Sequence, residues 1–145
     1  EETPELIQSS LEKMEQELDK LQDIPAYDTA ALMDIAYVQN QEFRLRFLRA
    51  DLHDAKRAAR RFALHFQAKL DLFGREKLTQ DIAQDDLDEK TLYALYHGFS
   101  QFLPVRDQAG RLVHVQFVQP KEVEFVDKVR MDFYMAMIKS EDDDT

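Results

Sequence analysis

Along the first part of the chain, Ile7, Leu11, Met14, Leu18 and Leu21 recur at spacings of 4, 3, 4 and 3, which keeps them on one face of a helix. The pattern predicts a helix from Pro4 that Ile24-Pro25 ends, because a residue before proline is driven out of helical backbone. Its apolar stripe covers about two heptads, fewer than the three or four of a coiled coil, so it packs on its own domain. Asp28 is placed to cap a second helix, with Leu32, Ile35 and Ala36 as its buried face, and a break falls near Asn40. A short third helix carries Phe43, Phe47 and Leu48 into the polar turn Asp51-Leu52-His53-Asp54, where Asp51 or Asp54 caps a fourth helix.

That fourth helix, at 54–73, is the clearest. Ala55, Ala59, Phe62, Ala63, Phe66, Leu70 and Phe73 share a face, and Gly74 stands where a helix terminator belongs. On the other side, Lys56, Arg57, Arg60 and Arg61 fall within a sector of about 140°. After a polar, acidic stretch at 76–89, Leu92, Leu95, Tyr96 and Phe99 predict another short helix ending near His97-Gly98.

Then the period changes. Leu103-Pro104-Val105-Arg106 leads into Asp107-Gln108-Ala109-Gly110, a turn in which Gly110 can take positive φ. Val113, Val115 and Phe117 alternate with His114 and Gln116, which predicts a strand at about 112–118 closed by Pro120. Val123, Val126, Arg130, Phe133, Tyr134 and Met137 predict a last helix at about 121–139. The acidic run at 141–144 opposes the dipole at that helix end and frays it. A lone strand leaves its backbone groups unpaired, so a partner is required: segment 102–105 as a hairpin, a second copy of the chain, or a sheet of a longer protein. The expected fold class is mainly α, an orthogonal multi-helix bundle with one β-strand or small hairpin near 103–118.

Composition narrows the classes of function. At 145 residues, 44% hydrophobic and 33% charged with three Gly and four Pro, the chain suits one folded domain, or two if one is incomplete. The formal charge of −10 repels polyanions and argues against nucleic acid as a partner. The sequence has no cysteine, which excludes disulfides, thiol catalysis, thiolate metal sites and iron–sulfur clusters, and fits a cytoplasmic, reducing location. No apolar run reaches the roughly 18–20 residues of a membrane span, and no signal pattern opens the chain. A first residue of Glu rather than Met marks a processed chain or an excerpt of a longer one.

Charge is unevenly placed. Residues 41–75 hold nine Lys or Arg against four Asp or Glu, whereas the rest holds ten against 25. Lys56, Arg57, Arg60 and Arg61 are therefore candidate membrane-facing residues that meet anionic lipid, at about 1 kcal/mol each; the alternative is a solvated face paired with the chain's own acids.

Catalytic constellations are not found. His53, His65, His97 and His114 lack metal-ligand spacing, and Asp85, Asp86, Asp88 and Glu89 lack the alternate ligands and central Gly of a calcium loop. Gly occurs only at 74, 98 and 110, which rules out a Gly-rich phosphate loop and a Gly-x-Ser-x-Gly elbow. The chain is expected to be no enzyme and to need no cofactor. Phe117, Phe125, Phe133, Tyr134, Met135 and Met137 form an aromatic, Met-rich end suited to lining an apolar cavity or packing a core, and apolar surface left open there favours self-association.

Two blocks resemble a known family. Phe43-Arg44-Leu45-Arg46-Phe47-Leu48-Arg49-Ala50, a polar turn with Asp54 and an Ala-rich helix resemble the N-terminal signature of the CRAL-TRIO lipid-transfer proteins. Leu103-Pro104-Val105-Arg106-Asp107-Gln108-Ala109-Gly110-Arg111-Leu112-Val113 resembles the family's passage into the first strand of its lipid-binding sheet, with Leu112 where the family usually has proline. The resemblance spans about 42–117. It implies a helical domain over 1–100 and, over 101–145, the start of an α/β lipid-binding domain whose pocket-closing strands and gate helix are absent here. It further implies non-catalytic binding or transfer of a hydrophobic lipid and peripheral contact with membranes; the family's lipid-contacting residues lie mostly in the absent region and none carries over, so Val113, Val115, Phe117, Phe133 and Met137 are lipid-pocket or partner-facing candidates by their apolar character alone. The alternative is a self-contained helical module for protein–protein interaction.

Overall fold

A computed structural model describes residues 2–117 and 123–142, with side chains to residue 138. The chain divides into two compact units, Glu1–Gln80 and Asp81–Thr145. The architecture is mainly helical with one two-stranded antiparallel hairpin. No described helix is long and apolar enough to cross a membrane.

The first unit contains α1 (Pro4–Leu18), α2 (Pro25–Met33), α3 (Ile35–Val38), α4 (Gln41–Ala50) and α5 (Ala55–Phe73). The longest, α5, lies against α1, α2 and α4. It buries Ala58, Ala59, Phe62, Ala63 and Phe66, and its small alanines let neighbouring backbones approach closely. Met14 and Leu18 of α1, Ala26 and Ala30 of α2, Val38 of α3, and Leu45 and Leu48 of α4 complete this core. Aromatic rings meet edge-on inside it, with Phe62 at 5.2 Å from Phe43, 5.1 Å from Phe47 and 5.2 Å from Phe66, the arrangement that the ring quadrupole favours.

Of the expected caps Asp54 holds its place, whereas Asp28 lies in the first turn of α2, whose start at Ile24 has no side-chain cap. Thr3, Asp34, Asn40 and Asp54 each accept a backbone N–H at the start of a helix. Proline opens α2 rather than ending α1: Pro25 is its first residue, and α1 has already stopped at Leu18. The loop between them turns at Asp23, whose φ is +57°, a conformation that Asp tolerates better than most residues. α2 buries Ala26 and Ala30 and breaks at Asp34, whose backbone is extended, so Ile35 and Ala36 belong to α3. Leu32, Ile35 and Ala36, expected inside, lie outside, with Leu32 89% and Ile35 52% exposed.

The turn from α4 to α5 is held unusually firmly. Leu52 and His53 both take positive φ, at +54° and +62°, which costs an L-residue about 1 kcal/mol each. Holding them there are the His53 N–H bond to the Leu48 carbonyl at 2.7 Å, contacts of the His53 ring with Ser10 and Glu2, and the buried Asp51 carboxylate. At the far end, Gly74 takes φ +83°, and the chain folds back through a 3₁₀ turn at Arg75–Lys77. Lys69, fully buried, donates to the Tyr37 hydroxyl at 3.0 Å and to the carbonyls of Leu78 and Gln80, tying that return segment to α5.

The second unit contains a 3₁₀ turn at Gln84–Asp86, α6 (Glu89–Tyr96), β1 (Ser100–Arg106), β2 (Leu112–Gln116) and α7 (Phe125–Asp142). Ala94 of α6 packs with Val123, Met131 and Met135, and Leu95, Phe99, Phe102 and Tyr134 flank them. Because α6 shares its core with α7, the division lies at Gln80/Asp81 rather than at 100/101. The strand at 112–116 is not alone: Ser100 pairs with Gln116, Gln101 with Val115, and Phe102 with His114. The register shifts between Phe102 and Arg106, around Pro104, which has no N–H to give the ladder. In the connecting turn Gly110 has φ +80°, and the Asp107 carboxylate accepts the N–H groups of Ala109 and Arg111 at 2.9 Å. Pro120 and the acidic residues 143 and 144 lie outside the described residues.

Truncating Phe62 to Ala should destabilise the chain by about 3–5 kcal/mol, measured by urea unfolding. Leu52→Gly should stabilise it by about 1 kcal/mol, because the positive-φ cost disappears while only an exposed side chain is lost; a lower midpoint would show that the turn is not strained.

Candidate functional site

The four candidate cations of α5 are all exposed, as their helical spacing predicts, but they do not act as one face. Asp51 is 5% exposed, and its Oδ1 accepts from Arg61 Nη2 at 2.9 Å while its Oδ2 lies 2.9 Å from Arg61 Nε, out of line for a second hydrogen bond. Arg57 Nε stands 3.7 Å from the same carboxylate. Arg57 and Arg61 therefore balance a buried anion of the preceding turn, an arrangement that is costly to break from one side. Lys56 and Arg60 have no ion pair with any described residue.

Lys56 and Arg60 instead line a groove of about 590 Å³ together with Ala63 and Leu64 of α5, Glu17, and residues 20–24. Leu21 and Ile24 are partly buried there, and Leu64 is 57% exposed. Lys20 is paired with Glu17 at 2.6 Å. The site is thus amphipathic, with apolar side chains beside two cations that have no ion pair among the described residues. The groove was not legible as sequence, since it joins residues far apart in the chain, and no local pattern signals the burial of Asp51. Lys69 left a signal, falling on the apolar stripe three residues after Phe66.

Val113 and Val115 lie partly buried on β2, and Phe133 and Met137 lie partly buried on α7. Phe117, 57% exposed, lines a crevice of about 10 Å³ with Ala94, Phe99, Val123, Lys128 and Met131, room for about one water molecule. Phe125 is 78% exposed. A second groove, of about 580 Å³, follows the hairpin turn from Arg106 to His114, but its cations are engaged: Arg111 with Asp107 at 2.7 Å and Arg106 with the Gly110 carbonyl at 3.1 Å. The Asp107 carboxyl titrates below its usual range, chiefly through the Arg111 backbone N–H.

The histidines are dispersed. His53 bridges Ser10 and Glu2 at 3.1 and 3.0 Å, and with Arg49 it holds the Glu2 carboxyl below its usual range, Arg49 being the larger cause. His97 stacks on Tyr93 with centroids 3.8 Å apart, and His114 Nε2 is 2.5 Å from Ser100 Oγ. His65 sits edge-on to Phe43, Phe47 and Phe66 at 5.4–5.6 Å. Among the described residues no group of three His, Asp or Glu is placed to hold a metal ion. The acids of 85–89 are used structurally: Asp86 accepts the Ala83 N–H, and Asp88 caps α6 and pairs with Arg130 at 2.7 Å.

The fold and the groove define a mainly helical chain with an amphipathic, partly cationic surface. Comparison with protein-family models, with curated proteins and with solved structures returns no match.

This geometry also makes stability depend on pH. Part of His65 remains accessible, yet desolvation by its aromatic neighbours, and secondarily the Lys69 charge, lowers its pKa from 6.5 to about 3. The unfolded chain binds a proton at this site below about 6.5 and the folded chain only near 3, so stability falls as pH drops between those values, by up to about 1.4 kcal/mol per unit. His65→Leu should flatten that slope in urea midpoints taken from pH 7 to pH 4.

Proposed function

We propose that this chain handles a hydrophobic lipid by binding rather than by chemistry, as the helical front of a CRAL-TRIO-type protein that works at membrane surfaces. One correspondence carries the reading. The first resembling block coincides with short α4, its tight turn and long amphipathic α5, and the second with β1, the Asp107 turn and β2, in the chain order that the resemblance implies. Support also comes from Lys56 and Arg60, exposed and without a described acidic partner. At a physiological screening length of about 8 Å, such a local face acts on a nearby anionic surface despite the chain's overall negative charge. Exposed Tyr96, Val105, Phe117 and Phe125 in the second unit offer apolar surface of the kind a lipid-binding unit uses.

A second reading, a protein-interaction module, is favoured by the exposed run at the α2–α3 junction, where Leu32 is 89%, Met33 41% and Ile35 52% exposed. Contiguous apolar side chains in water commonly mark a partner surface.

Sedimentation with phosphatidylserine-containing vesicles separates the two readings. Lys56→Glu combined with Arg60→Glu should weaken binding by at least about tenfold relative to wild type, since each cation near the surface is worth about 1 kcal/mol. Unchanged binding would reject docking by this face. Lipid extraction and mass spectrometry of the purified protein should reveal a co-purifying lipid. A lipid-free protein that ignores vesicles but loses a protein complex on Leu32→Ser with Ile35→Ser would favour the interaction module instead.

A further inference from the structure

The α5 cations separate into two pairs by their surroundings. Arg57 and Arg61 turn to Asp51. Lys56 and Arg60, four residues apart on one ridge, continue along that ridge to Leu64. From Lys56 to Leu64 is about 12 Å along the helix, so this edge of the groove grades from charged to apolar. Across it stand Leu21 and Ile24, held by the turn at Asp23.

Three properties of this groove specify a ligand. Its volume, about 590 Å³, gives room for a small molecule. Its apolar residues (Leu21, Ile24, Ala63 and Leu64) accept an aliphatic chain. Its charges, Lys20, Lys56 and Arg60 against Glu17 and Asp23, leave one positive charge in excess, carried at the end where Lys56 and Arg60 are unpaired. A singly charged head balances that excess, whereas a doubly charged phosphomonoester would leave one negative charge uncompensated beside Glu17 and Asp23. Arg presents a planar fork that takes a carboxylate by two parallel hydrogen bonds.

We infer that the groove between the α1–α2 loop and α5 binds a single-chain anionic amphiphile with a carboxylate head, a free fatty acid, with Lys56 and Arg60 on the carboxylate and Leu21, Ile24 and Leu64 along the chain. This assigns a ligand site to the first unit itself, independent of any lipid carried elsewhere; it shares Lys56 and Arg60 with the proposed bilayer docking and differs from it in using the apolar wall of Leu21, Ile24 and Leu64.

The test uses the full chain and sodium dodecanoate below its micelle-forming concentration, monitored by calorimetry and by amide chemical shifts. Saturable one-to-one binding is expected, with the shifts centred on residues 20–24 and 56–64. Lys56→Gln with Arg60→Gln should weaken it by about tenfold or more, as loss of charge-assisted hydrogen bonds implies. Leu64→Ser should weaken dodecanoate binding while leaving vesicle sedimentation in place, which separates this site from surface docking. Lys13→Gln, on exposed α1 surface outside the groove, should change nothing. Because the substituted side chains are exposed, a matching urea midpoint will show that each variant is folded. The inference is overturned by absence of saturable binding, by equal affinity in the Lys56/Arg60 variant, or by shifts centred outside the groove. Tighter binding of dodecyl phosphate or of neutral dodecyl maltoside would overturn the choice of head. An acidic amphipathic peptide that fills the groove when dodecanoate does not would overturn the ligand class.

Discussion

The first unit depends on the amphipathic period of α5. Ala58, Ala59, Phe62, Ala63 and Phe66 must leave water together, and a helix that buries one stripe against three neighbours has only its opposite side left for charge. The same constraint builds the core and exposes the basic face. Small residues at 58 and 59 set how closely the neighbours approach, and the large rings at 62 and 66 fill the space that remains. Lys69 continues the buried stripe with a cation, which is tolerated because the Tyr37 hydroxyl and the Leu78 and Gln80 carbonyls accept hydrogen bonds from its ammonium group. A residue unfavourable to burial thereby fixes the return of the chain after Gly74.

Electrostatics in this unit is a matter of who faces whom. Counted along the sequence, residues 41–75 hold a local excess of positive charge. In the fold, part of that excess is used internally: Arg57 and Arg61 on Asp51, Arg44 on Glu15 and the Val38 carbonyl, Arg49 on Glu2. Lys56 and Arg60 remain available beside the groove. Two cations without an ion pair, set next to apolar side chains, make a more selective surface than four on a solvated face.

In the second unit the strand at 112–116 finds its partner within the chain, at 100–106. The hairpin satisfies the backbone requirement that otherwise calls for a second copy or a larger sheet, so the strand itself is no argument for a missing remainder. The case for lipid handling rests instead on the order and placement of the two resembling blocks. Asp107 fastens the hairpin turn and Asp88 and Arg130 link α6 to α7, which accounts structurally for charges that would otherwise invite a binding role.

Local period and local chemistry were enough to place the start of the first helix, the helices at 41–50 and 55–73, a short helix before His97-Gly98, and the Gly74 and Gly110 turns, because these depend on neighbours within four or five residues. Tertiary structure decided the rest. Whether Pro25 closes one helix or opens the next depended on the packing of Ala26 and Ala30 against α5, and with those two inward Leu32 lies on the opposite, outer face. Whether a given arginine is free or paired depended on Asp51 at 1% side-chain exposure, a burial that no local pattern encodes. The groove unites residues from 17 to 64, so its shape exists only once α1 and α5 have packed: spacing along a helix tells which side chains share a face, and only the fold tells what stands opposite them.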